Sequence, residues 1–178
     1  EDPPEAIATI PSLKLSDLEK TCKEYPIKVT KDYADSGVTV VHSEQTSTSG
    51  ILYADFGIDI SMVPLQDAVL IPLLTRCMME TGAGEYDAVT LSRKIGTHTG
   101  GIGVSMSTSG VYEDGSDDTA VTDGKHMLTK IFIRGKATAE KSDELFSLFK
   151  LILTEANLDS KSRIVEMLRE SKSRIESN

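Results

Sequence analysis

The stretch ILYADFGIDIS, residues 51–61, decides the fold. Leu52, Ala54, Phe56, Ile58 and Ile60 fall on one side of an extended chain and Tyr53, Asp55, Gly57 and Asp59 on the other. That period of two is expected of a strand in a sheet with one dry face. Upstream, Val38, Val40 and His42 alternate with Thr39, Val41 and Ser43, predicting a second strand that pairs with the first as an antiparallel hairpin. Downstream, Pro64 introduces a helical segment in which Val69, Leu70, Leu73, Leu74, Cys77 and Met78 recur at helical spacing, up to Gly82 and Gly84. Pro72 marks a kink or restart within it.

Working further outward, Asp87 suits the N-cap of a second helix that stops at Gly96. Thr97-His98-Thr99-Gly100-Gly101 then reads as a tight connection into a strand where Ile102, Val104, Met106 and Thr108 alternate with small residues. Another strand spans Met127 to Lys136, with Leu128, Lys130, Phe132 and Arg134 opposite Thr129, Ile131 and Ile133. The intervening Val111 to His126 is acidic and reads as a mobile hairpin loop. Leu145, Leu148, Phe149, Ile152 and Leu153 form a clean apolar stripe on a further helix. Asp159 is placed to cap the last one, whose seam is Ile164, Leu168, Ser171 and Ile175. The order ββααββαα predicts an α+β fold, an antiparallel or mixed sheet with helices packed on one face.

Residues 1–24 read as an extended linker, rich in proline at its start and anchored by Ile7 and Ile10, and 25–178 as a single domain. The opening on Glu1 and the final helix without a stop signal suggest a piece cut from a longer chain, incomplete at its C-terminal end. A length of 178 residues lets folding bury roughly 70% of the extended chain's surface. With 39% apolar and 26% charged residues the chain is ordinary globular material. Its 19 basic against 28 acidic residues give a net charge of −9, which disfavours a nucleic-acid or anionic-membrane surface. No apolar run is long enough to span a bilayer, so a soluble protein is expected.

Motifs for chemistry are weak throughout. Cys22 and Cys77 lie far apart with no CxxC and read as reduced thiols. His42, His98 and His126 are isolated from one another, and His42-Ser43-Glu44 lacks the cysteine pair that would make it a zinc deaminase signature. Gly100-Gly101-Ile102-Gly103 leaves a helix and enters a strand, the reverse of a dinucleotide fingerprint, so its glycines read as turn residues. Gly103-Val104-Ser105-Met106-Ser107 lacks the second glycine of a nucleophile elbow. Glu113, Asp114, Asp117, Asp118 and Asp123 do not follow a calcium-loop pattern. Met78-Met79 and Phe146/Phe149 read as core. No catalytic, cofactor-binding or metal-binding residue is assigned.

One set of residues carries more. Ile10-Pro11-Ser12-Leu13-Lys14-Leu15, Ile71-Pro72-Leu73-Leu74, Glu80-Thr81-Gly82, Tyr86, Leu91, Ile131-Phe132-Ile133-Arg134-Gly135-Lys136 and the runs Asp143–Phe146 and Ser171–Arg174 occur in a characteristic order. Above all, Lys94-Ile95-Gly96-Thr97-His98-Thr99-Gly100-Gly101-Ile102 stands among them. In these the chain resembles the presequence-protease and falcilysin-like branch of the pitrilysin/insulinase zinc metallopeptidases. The resemblance covers nearly the whole chain and places it at the start of the second half of such an enzyme, in the associated domain after the hinge.

The resemblance implies a parent zinc metalloendopeptidase that closes around a chamber and degrades short unfolded peptides such as cleaved targeting presequences, in the mitochondrial matrix or plastid stroma. A zinc-activated water attacks the peptide carbonyl in such enzymes. Their inverted motif His-x-x-Glu-His does not occur here, so zinc is expected in the parent's first domain and this chain is expected to be inactive alone. Its implied role is to form part of the chamber wall, with other domains of the same polypeptide and unfolded peptides as partners. An acidic wall would steer basic peptides. The competing readings are a stand-alone interaction module that keeps the fold, and an enzyme acting alone through His98.

Overall fold

A computed structural model describes residues 3, 5, 9, 13–18, 20–21, 24–44, 46–110 and 127–177. The expectations for Cys22, Ile7, Ile10 and the loop from Val111 to His126 lie outside the described residues. The chain divides into two compact units, Glu1–Ser47 and Thr48–Asn178.

The first unit contains two short strands, β1 (Lys28–Thr30) and β2 (Val40–His42), paired antiparallel with Val29 opposite Val41. The predicted partner of β2 is therefore corrected: it pairs with β1 and not with the strand after it. The hairpin prediction rested on adjacency in sequence. Lys28-Val29-Thr30 is too short for alternation to reveal it as a strand, and it supplies the ladder instead.

The second unit is an antiparallel three-stranded sheet of order β3-β5-β4, with β3 (Ile51–Asp59), β4 (Ile102–Gly110) and β5 (Met127–Thr138). Five helices accompany it: α1 (Leu65–Ala68), α2 (Ile71–Glu80), α3 (Ala88–His98), α4 (Ser142–Glu155) and α5 (Lys161–Glu176). The α+β class is as expected. Register makes one face apolar: Ala54 and Ile102 flank Gly135, and Phe56 and Val104 flank Ile133. Ile131, Ile133 and Ala137 of the central strand are buried against a cluster containing Met78, Leu91, Ile95, Leu145, Leu148, Phe149 and Ile152.

Local chemistry explains the helix ends. Pro72 stands in the first turn of α2, where its missing N–H costs nothing, so the segment restarts there. Val69 and Leu70 precede the restart and are exposed, so the apolar stripe begins only at Ile71. Asp87 caps α3, its Oδ1 accepting the Thr90 N–H at 2.7 Å. That helix runs through Gly96 to His98, two residues past the expected stop, because Thr97 and Thr99 hydroxyls donate to the carbonyls of Arg93 and Ile95. Gly82, at φ +88°, turns the chain between α2 and α3, and a Cβ there would stand 2.4 Å from the Tyr86 carbonyl oxygen. The turn is hooked to the end of α4 by Gly84 N–H donating to Glu155 O and Asn157 N–H to Gly82 O.

Two expectations about side chains are corrected. Phe149 is core but Phe146, edge-on to it at 6.2 Å, is half exposed. On α5 the fully buried residue is Met167, whereas Leu168 and Ile175 are exposed and Ser160, not Asp159, precedes the first turn.

Candidate functional site

The sequence assigns no site, and the fold keeps the chemistry-bearing groups apart. His42 ends β2 in the first unit, and His98 ends α3 in the second. His126 and the acidic cluster from Glu113 to Asp123 lie outside the described residues. Cys77 is buried on α2, and burial pushes its thiol up, away from the reactive thiolate. Ser105 and Ser107 are exposed on the sheet face away from the helices, with no base hydrogen-bonded to either among the described residues. No three His, Cys, Asp or Glu side chains among the described residues are grouped so as to hold a metal ion. The donor set needed for a catalytic zinc is not found there.

The strongest charge cluster ties helices together. Arg76 of α2 donates to Glu80 from Nε at 2.6 Å and from Nη2 at 3.1 Å, and to Glu170 of α5. Its Nη1 also donates to the Met167 carbonyl at 2.9 Å and the Ser171 hydroxyl at 3.1 Å. Arg163 closes the ring with Glu80 at 2.8 Å and Glu166 at 2.7 Å. Glu170 is held below the usual carboxylate range, chiefly by the Arg76 hydrogen bond, and Arg76 is correspondingly raised by Glu80 first and Glu170 second. The network uses nearly every donor of Arg76 on protein acceptors, which makes it a clamp and not a ligand site. No spacing rule reveals it, because its partners lie about ninety residues apart.

The open face of the sheet has its own charge pattern. Asp55 lies 3.1 Å from Arg134, Asp59 is opposite Lys130, and Tyr53 is opposite Lys136. Arg134 also sits over the Phe132 ring at 4.6 Å. Three cations thus meet two carboxylates, so this face does not carry the chain's negative excess.

The glycine turn is the third feature. Gly100 N–H donates to the Lys136 carbonyl at 2.7 Å, and Lys136 N–H donates to Gly101 O at 3.3 Å. Gly101 has φ +114°. A Cβ on Gly100 would meet the Lys136 side-chain stem at 2.9 Å, so the turn lies flat against β5. Beside it opens a cavity of about 270 Å³ lined by Ile51, His98, Lys136, Ala137, Thr138 and Lys141, among others. The structural reading of Gly100-Gly101 as turn residues holds.

These features describe an α+β domain whose conspicuous polar groups hold it together, with no catalytic cluster among the described residues. The class they fit is a domain that accompanies a peptidase, and the chain belongs to the family described as Peptidase M16, subfamily C, associated, which it matches over residues 1–178. It is 31% identical over 175 residues to presequence protease 1, chloroplastic/mitochondrial, of Arabidopsis thaliana, covering 98% of this chain and 15% of that protein. It is 28% identical over 160 residues to the mitochondrial presequence protease of Candida albicans, covering 89% of this chain and 14% of that one. It is 26% identical over 175 residues to protein HypA of Clostridium perfringens, covering 98% of this chain and 17% of the relative. The chain thus spans less than a fifth of the curated relatives it matches. No helix among the described residues is long and apolar enough to cross a membrane.

Proposed function

We propose that this chain is the non-catalytic associated domain of a zinc metalloendopeptidase that degrades short unfolded peptides, cleaved targeting presequences among them. The observation that carries this reading is the family match over residues 1–178, together with relatives named as presequence proteases. The domain, 25–178 after a linker over 1–24, forms part of the wall of the substrate chamber and packs against other domains of the same polypeptide. Zinc belongs to another domain of the parent, since the described residues offer no grouped ligands for it. The relatives' names support a mitochondrial or plastid compartment. Steering of basic peptides by this domain gains no support from the open sheet face, where cations match carboxylates.

The test is a comparison of the purified chain with its full-length parent on a fluorogenic unfolded peptide. The expected result is chelator-sensitive cleavage by the parent, with an upstream His-x-x-Glu-His, and none by the chain alone. Chelator-sensitive cleavage by the chain itself, or a parent with no peptidase activity, would overturn the reading.

A further inference from the structure

The cavity beside the Gly100-Gly101 turn gathers cations from three separate segments of a strongly acidic chain. His98 comes from the end of α3, Lys136 from the end of β5, and Lys141 from the turn that leads into α4. No carboxylate is among its lining residues. Lys141 Nζ spends one donor on the Thr97 carbonyl at 2.9 Å, which holds the ammonium beside the cavity and leaves two donors over. Lys136, His98 and Thr138 have no side-chain hydrogen-bond partner among the described residues. The rest of the lining is apolar, with Ile51 and Ala137 beside the methylene stems of the lysines. A void of about 270 Å³ is large enough for one aliphatic side chain and the charged group attached to it, and too small for a folded partner.

We propose that this cavity binds the C-terminal carboxylate of a peptide whose last residue is aliphatic. The carboxylate takes the free donors of Lys136 and Lys141, with Thr138 and His98 completing the polar side. The aliphatic side chain meets Ile51 and Ala137. The choice of a carboxylate follows from the cations and the apolar lining. The choice of a peptide end over a free acid rests on the peptide-processing reading above.

The experiment is an NMR titration of the 178-residue chain with N-acetyl-leucine, N-acetyl-leucinamide, isocaproate, and N-acetyl-glutamate carrying an α-amide. The expected result is saturable shifts at Gly100, Gly101 and Thr138 with N-acetyl-leucine, at millimolar affinity suited to so small a ligand, and none with the amide. Lys136→Met and Lys141→Met keep the stems and should each weaken binding about five- to tenfold, while Lys136→Arg retains it and all melt as the parent chain does. Equal binding of the amide, shifts elsewhere, or unchanged affinity in both Met variants overturns the proposal. Tighter binding of the glutamate derivative would make an acidic side chain the occupant and also overturn it. Isocaproate binding without N-acetyl-leucine would exclude a peptide end. If N-acetyl-leucine binds while the full-length parent shows no peptidase activity, the pocket stands and the peptidase reading fails.

Discussion

Gly135 sits at the centre of the middle strand, between Ala54 and Ile102, directly beneath α4. A Cβ there would lie 2.7 Å from Leu145 Cδ1, 2.9 Å from Phe149 Cε1 and 3.2 Å from the Gly101 carbonyl oxygen. Carbon atoms rest at about 3.5–4.0 Å, so close to 1 Å of overlap must be relieved. Leu145 is 0% exposed and Phe149 4%, so neither can swing into solvent, and β5 is fixed by a ladder on both sides. Overpacking of this kind costs about 1–3 kcal/mol, which for a chain of this length lowers Tm by roughly 3–10 °C. Gly135→Ala should show that loss by circular dichroism, whereas Gly103→Ala, with nothing within 4 Å of its Cβ, should not. Leu145→Ala alone should cost about 2–5 kcal/mol. Combined with Gly135→Ala it should cost less than the sum, by at least about 0.5 kcal/mol, since the closest clashing atom is gone. A Gly135→Ala protein as stable as its parent, or an additive cycle, would refute the packing argument.

Other expectations follow from the same structure. Phe149→Ala should cost about 3–5 kcal/mol and Phe146→Ser well under 1 kcal/mol, in contrast to a reading that places both rings in the core, and chemical denaturation separates the two. Arg76→Met should loosen α5 from α2, seen as faster hydrogen exchange at Met167–Ser171 and a loss on the order of 1–3 kcal/mol, while the sheet amides keep their protection. Asp87, through hydrogen bonds from the Thr90 side chain and backbone, and Glu170, through Arg76 first, both have lowered pKa values. Their stabilisation is therefore complete above the unfolded carboxylate range near about 4 and is lost as pH falls through the lower folded values. Tm should be flat at neutral pH and drop in acid, and Asp87→Asn with Glu170→Gln should shrink the drop. In a Cys22→Ser background, Cys77 should react with a thiol reagent only as fast as the chain opens, because burial raises its pKa; labelling at the rate of an exposed thiol would contradict its placement.

The parts of the fold legible in the sequence are those where one short window contains the whole cause. The alternation of 51–61 is the strand, Asp87 with Thr90 is the cap, and the stripe from Leu145 to Ile152 is the buried face of α4. The misread parts depend on partners far away. On α5, Ile164, Met167, Leu168 and Ile175 allow more than one seam at helical spacing. The one realised buries Met167, whose carbonyl accepts from Arg76, 91 residues distant. Phe146 and Phe149 are equally apolar and three residues apart, yet only Phe149 points at the glycine gap in β5. Gly96 read as a stop, but the threonine hydroxyls after it satisfy the last carbonyls and carry α3 to His98.

The same distinction governs the candidate pocket. Within Lys94–Ile102 the glycines announce a turn, and a turn is what they form. The local window cannot show that Gly100 also admits the stem of Lys136, or that Lys141 returns to cap the carbonyl of Thr97, 44 positions earlier. Placing two ammonium groups and an imidazole around one cavity carries a repulsive cost that a purely structural turn would not require. Lys141 recovers part of it at the C-terminal end of α3, where the helix dipole favours a cation. Lys136 has no such compensation among the described residues. Its charge is therefore the feature of this turn that packing does not explain, and an anion between Lys136 and Lys141 would explain it.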